Sequence, residues 1–243
     1  MPARLSIIIP TLNEEKIIAG TLDALAKLKG EFEIIVVDGG SSDRTIEAAT
    51  PSLKQFHHSR IVTSKRGRGI QLNRGAEAAT GEVLLFLHAD TSLPENAIEL
   101  IEAAIKDQEV VGGNFRLVFD GADLASRLFT RIYNARRWFG IYYGDSAIWV
   151  RRDVFERAGR YMNSPVMEDY DFCRKLERAG RTVCLASPAI TSSRRWAGGR
   201  TLLVMMIWIL IQWMFLLGVR PERMGWLYYP KAFKFRAKGR TID

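Results

Sequence analysis

His88-Ala89-Asp90 stands at the end of the apolar run Val83-Leu84-Leu85-Phe86-Leu87. An unbroken apolar run of strand length fits a strand covered on both faces, and ligands of parallel α/β sheets gather beyond the carboxyl ends of the strands. Asp90, with His88 beside it, is therefore a candidate ligand for Mg²⁺ or Mn²⁺ held against a diphosphate, because hard cations take oxygen donors. A strand-end Asp that caps the next turn is the plain alternative. Asp38 follows another apolar run and precedes Gly39 and Gly40. Its carboxylate can meet a base or ribose while the glycines admit the ligand to the backbone; an Asp-Gly turn with Asp43 capping a helix is the alternative. Glu168-Asp169-Tyr170-Asp171 opens a helical pattern with three carboxylates in four residues. That exceeds what one cap needs, and a carboxylate there is suited to general base work on an incoming hydroxyl. Lys65, Arg66 and Arg68 alternate with Gly67 and Gly69 before a helix start, which suits phosphate, or is a solvated charge run. Arg195 could neutralise a leaving diphosphate and Trp196 could offer a flat face to a sugar or acceptor, the alternative being a juxtamembrane Arg pair with an interfacial Trp.

Positioning these groups requires alternating elements. Residues 5–9 read as a strand, followed by Pro10-Thr11-Leu12-Asn13-Glu14-Glu15 and a helix with Ile17, Ile18, Leu22, Leu25 and Leu28 on one face, capped by Asn13. A strand over 33–37 and a helix from near Asp43 complete a right-handed βαβ unit, a nucleotide-binding architecture in outline. A strand at 60–63, a helix through Gln71, Leu72, Ala76 and Ala79, a strand at 82–87 and a helix over 94–106 follow. The pattern becomes less regular between Gly112 and Asp123, as expected where nucleotide binding gives way to acceptor binding. A helix over 127–139, a strand over 145–150 and a helix from Glu168 to Gly180 close the domain. Asp145, in Tyr143-Gly144-Asp145-Ser146, is a candidate for orienting donor or acceptor hydroxyls.

The chain has 243 residues and a formal charge of +8, enough length for one α/β domain with an appendage. The whole excess lies after residue 193, where ten Lys or Arg face only Glu222 and Asp243. These charges flank residues 202–219, an 18-residue apolar stretch whose one polar side chain is Gln212. As a helix it would be about 27 Å long, close to a bilayer's hydrocarbon thickness, and the basic aromatic tail beyond it suits anionic headgroups. Membrane association is the first reading of this segment, and a buried or dimer-forming helix the second. Nucleic acid is set aside because no groove-reading or base-stacking module is recognisable. Cys173 and Cys184 lack metal-ligand spacing and read as reduced core residues in a cytoplasmic setting. The apolar start ends too early, at Pro10, for a secretory signal.

In order along the chain, Ser-Ile-Ile-Ile-Pro-Thr-Leu-Asn-Glu-Glu, Ile-Val-Val-Asp-Gly-Gly-Ser-Ser-Asp, Leu-Phe-Leu-His-Ala-Asp-Thr, Met-Glu-Asp-Tyr-Asp and Arg-Arg-Trp resemble family 2 glycosyltransferases of the GT-A fold, a mixed, mainly parallel α/β sheet flanked by helices. The match is to the short bacterial branch with a His-Ala-Asp metal motif. The resemblance implies a nucleotide-diphospho-sugar donor, UDP-linked by analogy, a divalent cation, and inversion by direct displacement. It places Pro10, Thr11, Asn13 and Glu14 in the first nucleotide loop, Asp38 at the base, Asp90 at the metal, Asp169 as catalytic base, and Arg195 and Trp196 at the end of the family's Gln-x-x-Arg-Trp motif. Glu168, Gly39, Arg66, Arg68, Ala89 and Asp145 complete the expected site. His88 replaces the first acid of the metal motif, and Ser192 replaces the glutamine, which favours a single addition over polymer synthesis. The expected division is a catalytic domain over 1–196, with a nucleotide-sugar half at 1–113 and an acceptor half at 114–196, and a hydrophobic, basic extension over 197–243. The expected acceptor is a lipid or other hydrophobic hydroxyl at the cytoplasmic membrane face. The rivals are a sugar-phosphate nucleotidyltransferase and a non-catalytic, membrane-docked scaffold.

Overall fold

The structure is a computed structural model; it describes residues 5–194 and 201–228, the latter without the side chains of Thr201, Leu202, Met205 and Tyr228. Its sheet has the order β3-β2-β1-β4-β7-β6-β8-β5, formed by β1 (Leu5–Thr11), β2 (Phe32–Asp38), β3 (Ser59–Thr63), β4 (Val83–Phe86), β5 (Thr91–Ser92), β6 (Val110–Phe119), β7 (Ile148–Arg151) and β8 (Arg181–Thr191). β1, β2, β3 and β4 pair in parallel. β7 then runs antiparallel to both β4 and β6, so a strand from late in the chain sits beside the one that carries His88 and Asp90.

Alternation of side chains across the pleat explains the two-sided burial. Ile7, Ile9, Ile34, Val36 and Leu85 face one core with α1 (Ile18–Leu25), α2 (Thr45–Leu53) and α4 (Ala97–Ile105). Ile8, Ile35, Val37, Leu84 and Phe86 face the other, with α3 (Arg68–Ala78), α6 (Arg152–Arg157) and α7 (Glu168–Ala179). Close approach matters at Gly75, where an added Cβ would lie 2.3 Å from Ile8 Cγ2; α3 can press on the sheet only because that atom is missing. α5 (Leu124–Arg136) and α8 (Thr201–Leu216) complete the fold beside the site. Among the described residues no helix is long and apolar enough to cross a membrane.

Several local expectations change. Asn13 does not cap α1, which begins at Ile18 without a side-chain cap. Asn13 instead adopts φ 57°, and its Oδ1 accepts from the Ser42 N–H at 2.8 Å, tying the first loop to the second. The irregular stretch from Gly112 is the greater part of a ten-residue strand, β6; its glycines suit crowding, since a Cβ on Gly113 would lie 2.0 Å from the Val183 carbonyl. Asp145 precedes its strand and lies in a 3₁₀ turn, Gly144–Ser146. Cys173 is buried, but Cys184 is exposed rather than in the core.

At the opposite end of the sheet from the candidate site, Glu33 on β2 gathers a polar knot. Its Oε1 accepts from Ser6 Oγ at 2.7 Å and Thr80 Oγ1 at 2.8 Å, and its Oε2 pairs with Arg60 at 2.9 Å. Burial opposes ionisation, but the bonds from Ser6 and Thr80 and the Arg60 charge prevail and hold the carboxyl below its ordinary value of 4.5. A depressed carboxylate stabilises the fold above its unfolded pKa and loses that contribution as pH falls through the folded one. Glu33→Gln should therefore lower the melting temperature at pH 7 and flatten the loss of stability below about pH 4.5, measured by thermal unfolding from pH 7 to 3.

Candidate functional site

The carboxyl ends of β1, β2 and β4 converge, as the sequence pattern requires of a parallel sheet. Asp38 is buried, and its carboxylate shapes its own loop: Oδ2 accepts from the Gly40 and Ser41 N–H groups at 2.9 and 3.0 Å, and Oδ1 from Ser41 Oγ at 2.5 Å. The Asp-Gly turn is thus realised, and a nucleoside would meet Asp38 through lone pairs left beyond these bonds. Asp43 accepts from the Thr45 N–H at 3.0 Å and the Glu15 N–H at 3.2 Å, so it serves both α2 and the first loop. Behind Gly39 lies Gln71, a residue that carries no motif. Its Nε2 donates to the Thr11 and Val37 carbonyls at 2.8 and 2.9 Å, joining the ends of β1 and β2. Pro10 and Thr11 belong to β1 itself.

Arg66 stays exposed beside the start of α3, whereas Arg68, also expected to meet phosphate, pairs with two carboxylates of α7. Arg68 Nε donates to Glu168 Oε1, and its Nη2 lies 3.5 Å from Asp169 Oδ2. The start of α3 is thereby pinned to the start of α7. Gly69 permits the approach, since a Cβ there would sit 2.4 Å from the Met162 carbonyl. Glu168 is 1% exposed, and burial pushes its carboxyl above the usual range; Arg68 opposes this shift and the adjacent Asp169 charge adds to it. Asp169 faces a cavity instead. It lines a space of about 80 Å³ with Arg68, Asp145, Tyr143 and, from α8, Trp208 and Gln212. The Gly144 N–H donates to Asp169 Oδ2 at 3.1 Å, fixing the carboxylate's direction.

His88 and Asp90 part company. His88 Nδ1 lies 2.8 Å from Asp145 Oδ1, and its Nε2 sits where a Cβ on Gly144 would come within 2.6 Å. The histidine thus packs toward the Asp145–Asp169 side, while Ala89 turns its carbonyl to the Thr21 hydroxyl. Asp90 Oδ2 is 3.1 Å from Arg194 Nη2, and the same guanidinium makes a fork with Glu14 at 3.0 and 3.1 Å. Arg194, not a residue singled out for this role, is the cation that bridges two carboxylates at the candidate metal position; Arg195 and Trp196 lie outside the described residues.

No group of three His, Cys, Asp or Glu among the described residues forms a metal cage. Mg²⁺ and Mn²⁺ do not require one, since Mg²⁺ is commonly held by one or two carboxylates with substrate phosphates supplying further oxygens. Asp90, a carboxylate already attracting a cationic group, fits that donor set. His88, the other residue expected at the metal, pairs with Asp145 through Nδ1.

The comparisons with known proteins identify the family and the fold. The model of the glycosyl transferase family 2 matches residues 6–159. A "PGL/p-HBAD biosynthesis glycosyltransferase" of Mycobacterium tuberculosis is 32% identical over 202 residues, covering 77% of this chain and 72% of that protein. The "probable glycosyltransferase YdaM" of Bacillus subtilis is 26% identical, over 77% of this chain and 50% of its own length. Among solved structures, a Pyrobaculum calidifontis mannosyltransferase in complex with GDP-Man and Mn²⁺ superposes with a TM-score of 0.68 at 19% identity, covering all of this chain and 77% of that one. S. aureus TarS in complex with UDP-GlcNAc gives 0.63 at 20% identity, over 79% of this chain and 59% of that one. The sheet and its flanking helices are those of the GT-A fold. Matched by the family model over more than half its length, the chain belongs to glycosyl transferase family 2 and is a glycosyltransferase.

Proposed function

We propose that this chain is an inverting enzyme that moves one sugar from a nucleotide-diphospho-sugar to a hydroxyl of a lipid or other hydrophobic acceptor, at the cytoplasmic face of the membrane. One observation carries the reading. Asp169 opens into a cavity while Gly144 N–H and Arg68 hold its carboxylate from behind. A carboxylate so placed accepts the proton of the acceptor hydroxyl as its oxygen bonds to the anomeric carbon. The bond from that carbon to the diphosphate oxygen breaks with its electron pair, leaving the nucleoside diphosphate. Attack from the face opposite the leaving group inverts the centre.

Glu168 keeps Arg68 in place and does not itself face the cavity. The loops of Asn13, Glu14, Asp38 and Gly39 receive the nucleoside, Arg66 lies near enough in sequence to α3's start to meet phosphate, and Asp145 orients hydroxyls through its link to His88. A divalent cation held by Asp90 would supply charge to offset the departing diphosphate. On ligand binding Arg194 would exchange its hold on Asp90 and Glu14 for the phosphates, a carboxylate-for-phosphate swap that suits guanidinium. The nucleotide sugars bound by the two structural neighbours, UDP-GlcNAc and GDP-Man, support this donor class without choosing a base.

Membrane contact rests on the exposed side of α8. Leu203, Met206, Leu210 and Trp213 are exposed there, and Leu217 just beyond is 79% exposed. The opposite side, with Ile211, packs onto Val166 and Tyr170. A helix fixed to the domain by one face and apolar on the other lies on a bilayer rather than across it.

Four outcomes test the proposal. UDP- and GDP-sugars screened with Mn²⁺ or Mg²⁺ should include a donor that raises the melting temperature, with the rise reduced by chelator; Asp169→Asn should keep that rise and lose about 10²–10⁴-fold in transfer, assayed with membrane lipid extracts and simple alcohols as acceptors. Turnover retained in Asp169→Asn would remove it from the role of base. Arg68→Met removes the cation that opposes the upward shift of the buried Glu168 carboxyl, so it should lower the melting temperature more at pH 7 than at pH 5, measured by thermal unfolding. Leu210→Ser with Trp213→Ser should abolish co-sedimentation with vesicles containing phosphatidylglycerol while the protein stays folded by circular dichroism.

A further inference from the structure

Gln212 is the one polar side chain of the apolar stretch 202–219, and the fold buries it to 7% exposure. Its Oε1 accepts from the Tyr143 hydroxyl at 2.7 Å. Its Nε2 has no hydrogen-bond partner among the described residues. Buried side-chain donors are nearly always satisfied, and an orphan calls for a physical reason. Here the reason lies next to it, because Gln212 lines the same cavity as Asp169.

The cavity wall between them is aromatic. Tyr133 stands 5.3 Å from Tyr143 and 6.0 Å from Trp208, ring centre to ring centre, and all three line the cavity with Ile211. Tyr143 and Tyr133 are held neutral, chiefly by burial, so neither phenol competes with Asp169 for the proton. An orphan N–H donor, a carboxylate and three ring faces describe a ligand that offers an oxygen on a flat apolar body.

We propose that this cavity receives the hydroxyl-bearing end of the acceptor, that the acceptor is an aromatic or similarly flat hydroxyl compound, and that Gln212 is its positioning residue. Gln212 Nε2 donates to the acceptor oxygen, which leaves that oxygen's own O–H directed at Asp169. The assignment rests on the glycosyl-transfer reading above and deepens it. It also gives α8 a second role, as a wall of the acceptor site on the face opposite its exposed one.

The test uses phenol and toluene as probes, which match in shape and differ in the hydroxyl. Binding is followed by the indole N–H resonance of Trp208, assigned by Trp208→Phe, with UDP and GDP titrated separately. The full chain should bind phenol about five- to tenfold more tightly than toluene, the factor expected of one hydrogen bond. Gln212→Met should bring that ratio to about one. Gln212→Leu also removes the donor, in a smaller side chain, so it should do the same even if the Met variant fails to fold. Nucleotide affinity should be unchanged in both variants. A phenol-to-toluene ratio near one in the wild type, or a ratio that survives in Gln212→Met or Gln212→Leu, overturns the proposal. Should UDP and GDP both fail to bind the wild type while the phenol preference holds, the glycosyl-transfer reading falls and the hydroxyl site stands; nucleotide binding without a phenol preference gives the reverse.

Discussion

Two neighbouring carboxyl groups buried at the head of one helix repel each other and resist ionisation unless a cation lies against them. Arg68 is that cation for Glu168 and Asp169. It comes from the first turn of α3, one hundred residues earlier, so a single guanidinium joins the nucleotide half of the sheet to the helix that bears the proposed base. The contact also divides the pair. Glu168, 1% exposed, holds the arginine, and Asp169 remains for the cavity. Removing one partner of such a buried arrangement strands the other charges, so the positions of α3, α7 and the Gly144 turn all depend on it.

A second guanidinium acts in the same manner on the other side of the site. Arg194 spans Glu14 from the first loop and Asp90 from the end of β4. In this state the acids proposed to serve nucleotide and metal neutralise a protein cation, which keeps them from repelling each other. Phosphates and a divalent ion can take over both partners together, so ligand entry exchanges charges and leaves none unpaired. His88 stands apart from this exchange because Asp145 fixes its ring beside Gly144. The histidine in the His-Ala-Asp motif thus sits toward Asp145 and Asp169, the proposed base, and away from Asp90.

The apolar segment after the domain reconciles two demands that its composition leaves open. One side of α8 packs on Val166, Met167 and Tyr170 next to Asp169, and the other leaves Leu203, Met206 and Trp213 exposed. A helix that is apolar all round has no polar face to turn to water, so each side needs a cover. The domain covers one side here. On the proposed reading, an apolar acceptor delivered from a lipid surface would reach a cavity whose wall is α8 itself.

Much was legible along the chain because it is local. The apolar runs of β1, β2 and β4 alternate their side chains into two cores, which compels a covered sheet, and a sheet of that kind brings Asp38 and Asp90 to one edge. The acidic start of α7 and its Gly180 end were likewise readable from helix-end chemistry. Partner choice was not, because it depends on distance in space between residues far apart in sequence. Nothing in the order of residues distinguishes Arg68, claimed by carboxylates, from Arg66, left exposed. Nor does it assign Arg194 to Glu14 and Asp90, turn His88 toward Asp145, or set Gln71 across the ends of two strands. Gln212 shows the boundary most plainly: its isolation among apolar residues was visible in the sequence, but only the packing of α8 against Tyr143 made it a buried donor without a partner among the described residues, in the cavity of Asp169. Burial and hydrogen-bond satisfaction are properties of the assembled core, and they were decided there.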